Sequence, residues 1–331
     1  MSAVGGPAET GPSSSLTRGT CVGCHSSTDS STIKVIGSSR IPVVYNTVAP
    51  VNELAGGNFY WVVQKGAEYG HNVMTIPRMT QDGLTTAPGS PTSLGGICAS
   101  CHDRIADCTS CHYPYHHGDG AAPVVGSDAQ TTDTKAVYYR FLANGSNAHS
   151  GGGVMGIEDS DWEQTKSPDD HNVYAGGSIH RQGAEGMLGY DDGSMANYCA
   201  GCHTRLHNIA DGGSASPWLR HPNNYCLPDD RSREYYFYNS SSGTGTGPYN
   251  PDAPVARQDI LAYTGDLSTV RPGEGKDQVF CLSCHRPHGT PYKDILRWAY
   301  SPDEGGAMIA GTTGAGAKKG CFICHTTKDG L

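Results

Sequence analysis

Cysteine enters this chain in one arrangement only, with a single exception. Of the 13 cysteines in 331 residues, twelve form six Cys-x-x-Cys pairs, each followed at once by His. The six sites are Cys21, Cys24 and His25; Cys98, Cys101 and His102; Cys108, Cys111 and His112; Cys199, Cys202 and His203; Cys281, Cys284 and His285; and Cys321, Cys324 and His325. Two thiols three residues apart reach the two vinyl groups of one porphyrin, and the next residue projects an imidazole at the iron. Zinc sites and redox dithiols also use Cys-x-x-Cys, but neither needs His directly behind the second Cys. With 15 His in the chain, six such coincidences have a probability on the order of 10⁻⁸. The pattern implies six covalent c-type haems, with the cysteines as thioether anchors and the six histidines as proximal iron ligands.

Composition then needs a haem to make sense. Leu, Ile, Val and Phe together number 50, about 15% of the chain, below the roughly 20% a chain usually needs to build its own core. Gly, at 45 residues, is about twice as common as usual. Disorder would follow if the charge were high and unbalanced, but the net charge is −9 with only 17% charged residues. One haem per about 55 residues supplies the missing apolar surface, and the hydrophobic effect acts on porphyrin faces. The expected architecture is a multihaem c-type cytochrome, mostly irregular coil with short helices and few short strands wrapped around a chain of haems, in one domain over 1–331.

The remaining histidines are the source of sixth ligands. Nine are left: His71, His116, His117, His149, His171, His180, His207, His221 and His288. His207 and His288 stand four and three residues past a proximal histidine, too close to serve the same iron and placed to serve a neighbouring one. One of His116 and His117 has the same relation to His112, and spacing does not choose between them. His71, His171 and His221 lie in polar, turn-like sequence away from the motifs, while His149 and His180, in Gly- and Ser-rich stretches, rank last. Met is the alternative sixth ligand, but the seven Met show no recurring context.

Along the chain the motifs begin at 21, 98, 108, 199, 281 and 321, without the fixed period of a repeat array. The second and third must hold neighbouring haems. Short helical turns are expected at each motif, because Cys, Cys and His must face one side. The stretches 59–63 and 137–142 read as short strands, and 11–16, 239–248 and 305–320 as low-complexity loops. The 18 Tyr and four Trp suit packing against haem edges with polar tips toward water. Cys226, the odd thiol, reads as a buried inert cysteine. No stretch of 18 apolar residues exists, so no transmembrane segment is expected. The acidic balance argues against nucleic acid as a partner. The first residues lack a basic and apolar leader, and since haem attachment of this kind requires export, the chain is read as a mature form whose signal peptide has been cleaved.

Several segments resemble the extracellular multihaem cytochromes of metal-reducing bacteria, and among them the hexahaem members that polymerise into conductive filaments, or nanowires. These are GGNFYWV with YGHNV, YCAGCHTRLHN with PWLRHP, FCLSCHRPHGTPY and the terminal CFICHTTKD. The resemblance implies bis-His haems stacked in a continuous chain, with one ligand crossing the subunit boundary. It supports His71, His207, His221 and His288 as distal ligands. It also implies self-association with inter-subunit haem contact, an extracellular location, and other cytochromes or extracellular electron acceptors as partners. Two departures stand out. The filament-forming pattern carries a further His just after its first motif, where this chain has Ser26-Ser27-Thr28, and its second and third motifs lie farther apart.

The leading reading is therefore an electron-transfer protein, not an enzyme, conducting over long range as an extracellular cytochrome filament. A soluble periplasmic carrier or oxidoreductase subunit has the same chemistry without assembly. A multihaem reductase would need one iron with an open position. If porphyrin completes the core, the haem-free polypeptide does not fold: calorimetry of apoprotein should show no sharp cooperative transition, and a sharp one would overturn that account.

Overall fold

The computed structural model describes residues 21–37, 39–79, 107–112, 137–139, 142, 154–177, 193–200, 202–203, 223–240, 245–260, 265–300 and 320–325. Five of the six motifs lie within these segments. Cys98, Cys101, His102, His116, His117, His149, His180, His207 and His221 lie outside the described residues, as do the stretches 11–16 and 305–319.

Regular elements are short. The α-helices are α1 (Cys21–Cys24), α2 (Tyr60–Lys65), α3 (Met195–Ala200) and α4 (Cys281–Cys284). Single 3₁₀ turns include Cys108–Ser110 and Gly320–Ile323. The first strands are β1 (Ser26–Ser27), β2 (Ile33–Ile36), β3 (Ser39–Pro42) and β4 (Tyr45–Asn46); β2 and β3 form an antiparallel hairpin, and β1 pairs in parallel with β4. The rest are β5 (Val137–Tyr138), β6 (Met155–Ile157), β7 (Val173–Ala175), β8 (Tyr225–Cys226), β9 (Ala256–Arg257) and β10 (Asp277–Val279). They make one mixed sheet in the order β5-β6-β7-β9-β10-β8, with β7–β9 the parallel pair. Among the described residues no helix is long and apolar enough to cross a membrane.

The stretch 59–63 is not a strand. It forms α2, because the Asn58 side chain accepts the Tyr60 N–H at 2.9 Å and starts a turn. Phe59 and Val62, three residues apart, then bury one helical face. Packing overrides the strand preference of an aromatic and β-branched run. Among the described residues of the expected strand 137–142, Val137–Tyr138 pair in the sheet, and the Leu142 N–H closes back on the Tyr139 carbonyl at 2.9 Å.

At the middle of the large sheet the buried Arg257 and Asp277 face each other across β9 and β10, 3.3 Å apart. Arg271 adds a contact to Asp277 at 2.9 Å and a two-pronged one to Asp259 at 2.6 and 2.8 Å. Charges this buried require such pairing. Because β10 runs straight into Phe280 and α4, the network anchors the fifth motif.

Apolar packing is divided among small clusters, and attachment cysteines sit at their rims. Tyr139, Val154, Tyr174, Met195, Ala256, Phe280 and Leu282 pack with Cys199 and Cys281 alongside. Leu227, Tyr238, Tyr249, Val255, Val270 and Ile323 pack beside Cys324 and Trp298. Tyr45, Phe59, Val62, Val73 and Ile76 pack beside Cys108 and Val22. Ordinary side chains thus build patches, and these three patches each border an attachment cysteine, whereas Val173, Ala175 and Ile260 pack apart from any. Cys226 is buried in the β8 strand, its thiol between Gln258 and Gln278.

One close approach joins the two ends of the chain. Segment 56–71 and segment 287–290 are knitted by main-chain bonds: His288 to Gly56 at 2.7 Å, Asn58 to Gly289 at 2.9 Å, Thr290 to Tyr69 at 3.0 Å and His71 to Pro287 at 3.3 Å, donor first. Glycines make this possible. A Cβ on Gly57, whose φ is +81°, would lie 2.1 Å from the Gly289 carbonyl oxygen, and one on Gly70 would lie 2.3 Å from a Val62 methyl. Gly57→Ala should therefore cost about 3 kcal/mol of stability. Gly37→Ala, at φ +65° with open space around it, should cost only about 1 kcal/mol. Thermal unfolding of the two holoprotein variants against the parent makes the comparison.

Candidate haem-attachment sites

Each described motif folds as one turn of helix or 3₁₀ helix. The proximal histidine N–H returns to the carbonyl of the first cysteine in all five: His25 to Cys21 at 2.9 Å, His112 to Cys108 at 2.8 Å, His203 to Cys199 at 3.0 Å, His285 to Cys281 at 3.0 Å and His325 to Cys321 at 2.8 Å. An i, i+3, i+4 set within one turn shares a face, so both sulfurs and the imidazole address a single group. Local chemistry holds the turns. Asp107 Oδ1 accepts the Thr109 N–H at 2.8 Å at the start of the third motif. Ser283 Oγ accepts the Phe280 N–H at 3.1 Å and donates to the Pro254 carbonyl at 2.5 Å at the fifth.

The outer ring nitrogens are also committed. The Nδ1 atoms of His25, His71 and His285 donate to the carbonyls of Pro42, Pro287 and Asp294 at 2.8, 2.8 and 2.9 Å. A carbonyl can only accept, so Nδ1 carries the proton and Nε2 presents its lone pair. This is the arrangement that orients a histidine ligand for a metal.

Two histidine pairs face each other. His112 Nε2 and His288 Nε2 are 3.4 Å apart, with ring centroids at 5.7 Å. The rings of His71 and His203 are 6.1 Å apart. Two imidazole nitrogens each about 2 Å from one metal ion stand about 4 Å apart, near the 3.4 Å between His112 and His288. His288 is held by its main chain to Gly56 and by the Phe59 ring at 4.9 Å. Burial pushes its imidazole down to about 3, which keeps it neutral and able to ligate.

The motifs adjoin one another in space. The Cys21 thiol lies beside that of Cys108, and the Cys199 thiol beside that of Cys281. The Tyr198 hydroxyl donates to the Cys111 carbonyl, and Cys284 feels Cys321. The first motif therefore meets the third, the third the fourth, the fourth the fifth and the fifth the sixth. Sequence reading missed this order and the pairing that skips along the chain: His288, just past the fifth motif, faces the third. Only its displacement from His285 hinted that it serves another site.

His171 is placed differently from the sequence expectation. Its ring stacks on Tyr249 with centroids 3.5 Å apart. Nδ1 lies 2.7 Å from the Asn172 carbonyl and Nε2 3.3 Å from that of Leu267. Both ring nitrogens face carbonyl oxygens.

Comparison with known proteins agrees with this geometry. Residues 272–330, which span the last two motifs, match a family described as the doubled CXXCH motif. The C-type cytochrome OmcS of Geobacter sulfurreducens (strain ATCC 51573 / DSM 12127 / PCA) is 27% identical over 308 residues, covering 80% of this chain and 67% of OmcS. The chain is an OmcS-like multihaem c-type cytochrome. The fold agrees: the Outer Membrane Cytochrome S filament from Geobacter sulfurreducens aligns over 86% of this cytochrome and 75% of that chain, with a TM-score of 0.51 at 18% identity. A structure of OmcS nanowires from the same organism aligns over 76% and 68% of the two chains, with a TM-score of 0.44 at 22% identity.

In this cytochrome the third motif depends on the Asp107 side chain for its turn. Asp107→Ala should lower stability by about 1 kcal/mol, read by chemical unfolding of the holoprotein, whereas the solvent-facing Glu274→Ala should fall within about 0.5 kcal/mol of the parent.

Proposed function

We propose that this protein is a single-domain hexahaem cytochrome in which every haem iron is held by two histidines, and that it conducts electrons over long distances as an extracellular filament of its own copies. The observation that carries the proposal is the facing of His112 with His288 and of His71 with His203. In each, a motif histidine meets a histidine from a distant part of the chain. The haems, when bound, supply one-electron exchange between ferric and ferrous iron.

The polypeptide does the remaining work. Cys-x-x-Cys turns fix each attachment point, and carbonyls on Nδ1 orient the rings. Ligation by two histidines favours lower potentials than Met/His ligation. His288 is assigned to the third site and His71 to the fourth. His171 is assigned to packing, by the contacts of its ring. His116 or His117, His207 and His221, with His149 and His180 in reserve, remain for the other sites, together with any ligand from a neighbouring subunit. Filament formation and the extracellular location follow from likeness to OmcS. Other cytochromes and extracellular acceptors are the partners such a conductor requires.

The chemistry is tested by counting haems as pyridine haemochromes, with six per chain expected, and by ferric EPR. Wild type should be low-spin throughout. His288→Ala should add one high-spin signal, His71→Ala a second and distinct one, and His171→Ala none. An unchanged low-spin spectrum in His288→Ala would sink its assignment. Cryo-electron imaging of purified holoprotein tests assembly: ordered filaments with haem density continuous between subunits are expected, and discrete particles would return the protein to the class of soluble carriers.

A further inference from the structure

Two guanidinium groups are buried against the fifth attachment motif. Arg286 directly follows His285 and is 5% exposed. The Arg297 side chain is 1% exposed. Arg297 donates from its main chain to the Cys284 carbonyl at 2.8 Å and from Nε to the Leu282 carbonyl at 2.7 Å. Leu282 and Cys284 belong to the CLSCH turn itself. The carboxylate partners are Glu53, 3.8 Å from Arg286 Nη1, and Glu163, 4.0 Å from Arg297 Nη2. Glu53 is held at its other oxygen by the Trp61 indole at 2.7 Å, and Glu163 by the Tyr174 hydroxyl at 3.4 Å. Arg297 is close enough to Arg286 to disfavour its charge, and it lies near the Cys284 sulfur.

Guanidinium remains charged in such settings. Reduction of a ferric haem adds one negative charge at the iron. A fixed cation nearby stabilises that state, more strongly in a poorly polarisable interior and more strongly the closer it lies. Arg297 makes the direct contact with the motif, its Nε bonded to the Leu282 carbonyl, and this guanidinium, as the charge bonded to the CLSCH turn, sets the sign of the field there.

We propose that Arg286 and Arg297 raise the reduction potential of the haem carried by Cys281, Cys284 and His285, and so bias electrons from neighbouring haems toward this position. One electron leaves a neighbouring ferrous iron, which becomes ferric, and reduces the ferric iron at this site; no bond breaks and no proton moves. This rests on the hexahaem reading given above.

Potentiometric titration of the purified holoprotein, followed by haem absorbance and low-spin EPR, tests it. Arg297→Gln should lower the potential of one haem component while the others stay in place. An about tenfold fall in its ferrous-to-ferric ratio at a fixed potential is the expected scale, equivalent to 59 mV for one electron. Arg297→Lys should restore most of the shift. Glu163→Gln, which keeps the shape and removes the opposing charge, should move the same component upward, and it carries the test if Arg297→Gln does not fold. No movement in any component, or movement in the same direction for Arg297→Gln and Glu163→Gln, overturns the proposal while six haems are still counted. A wild-type count below six overturns the hexahaem reading and this inference with it.

Discussion

The close approach of segment 56–71 to segment 287–290 is the constraint on which the arrangement of sites depends. It needs residues without side chains at Gly57, Gly70 and Gly289, since a Cβ at any of them would meet backbone or a buried methyl at under 3 Å. Once the segments are joined, His71 and His288 are carried on one platform. The Pro287 carbonyl takes the Nδ1–H of His71, and the main chain of His288 is tied to Gly56. One ring then faces His203 and the other His112. Two sites far apart in sequence are therefore aligned by the same backbone contact, and a shift of either segment would disturb both.

The division of the core follows from the same design. A chain poor in large apolar residues cannot form one continuous interior, and its clusters stay small. Three of those among the described residues reach an attachment cysteine: Cys199 and Cys281, Cys324, or Cys108. Burial that leaves an apolar rim exposed is unfavourable alone and favourable once a macrocycle covers it. Buried arginines among the described residues are paired, Arg257 with Asp277 within the sheet, and Arg286 and Arg297 with Glu53 and Glu163 beside the fifth motif. The first group fixes strands. The second borders the CLSCH turn.

The attachment residues were legible because covalent chemistry fixes their spacing: two thiols and an imidazole must share one turn, and the five described motifs do. The rest was less legible. The run FYWVV carries strand preferences, yet Asn58 and the burial of Phe59 and Val62 make it helical. His171 had the context of a free ligand, but Tyr249, 75 or more residues along the chain, takes its ring face. The six-stranded sheet was invisible because its strands are two or three residues long, too short to show a period.

The amino-acid sequence alone determined what is attached and where it attaches: six Cys-x-x-Cys-His motifs, a surplus of histidine and few large aliphatic side chains. These are local and compositional properties, set by bond lengths and by the area a chain can bury. The tertiary structure decided which histidines face each other, the spatial order of the described motifs and which motif is lined by buried arginine. Those features depend on contacts between residues far apart in the chain, 176 positions for His112 and His288. No local pattern encodes such a contact, because the glycines that permit it act only when the two backbones meet.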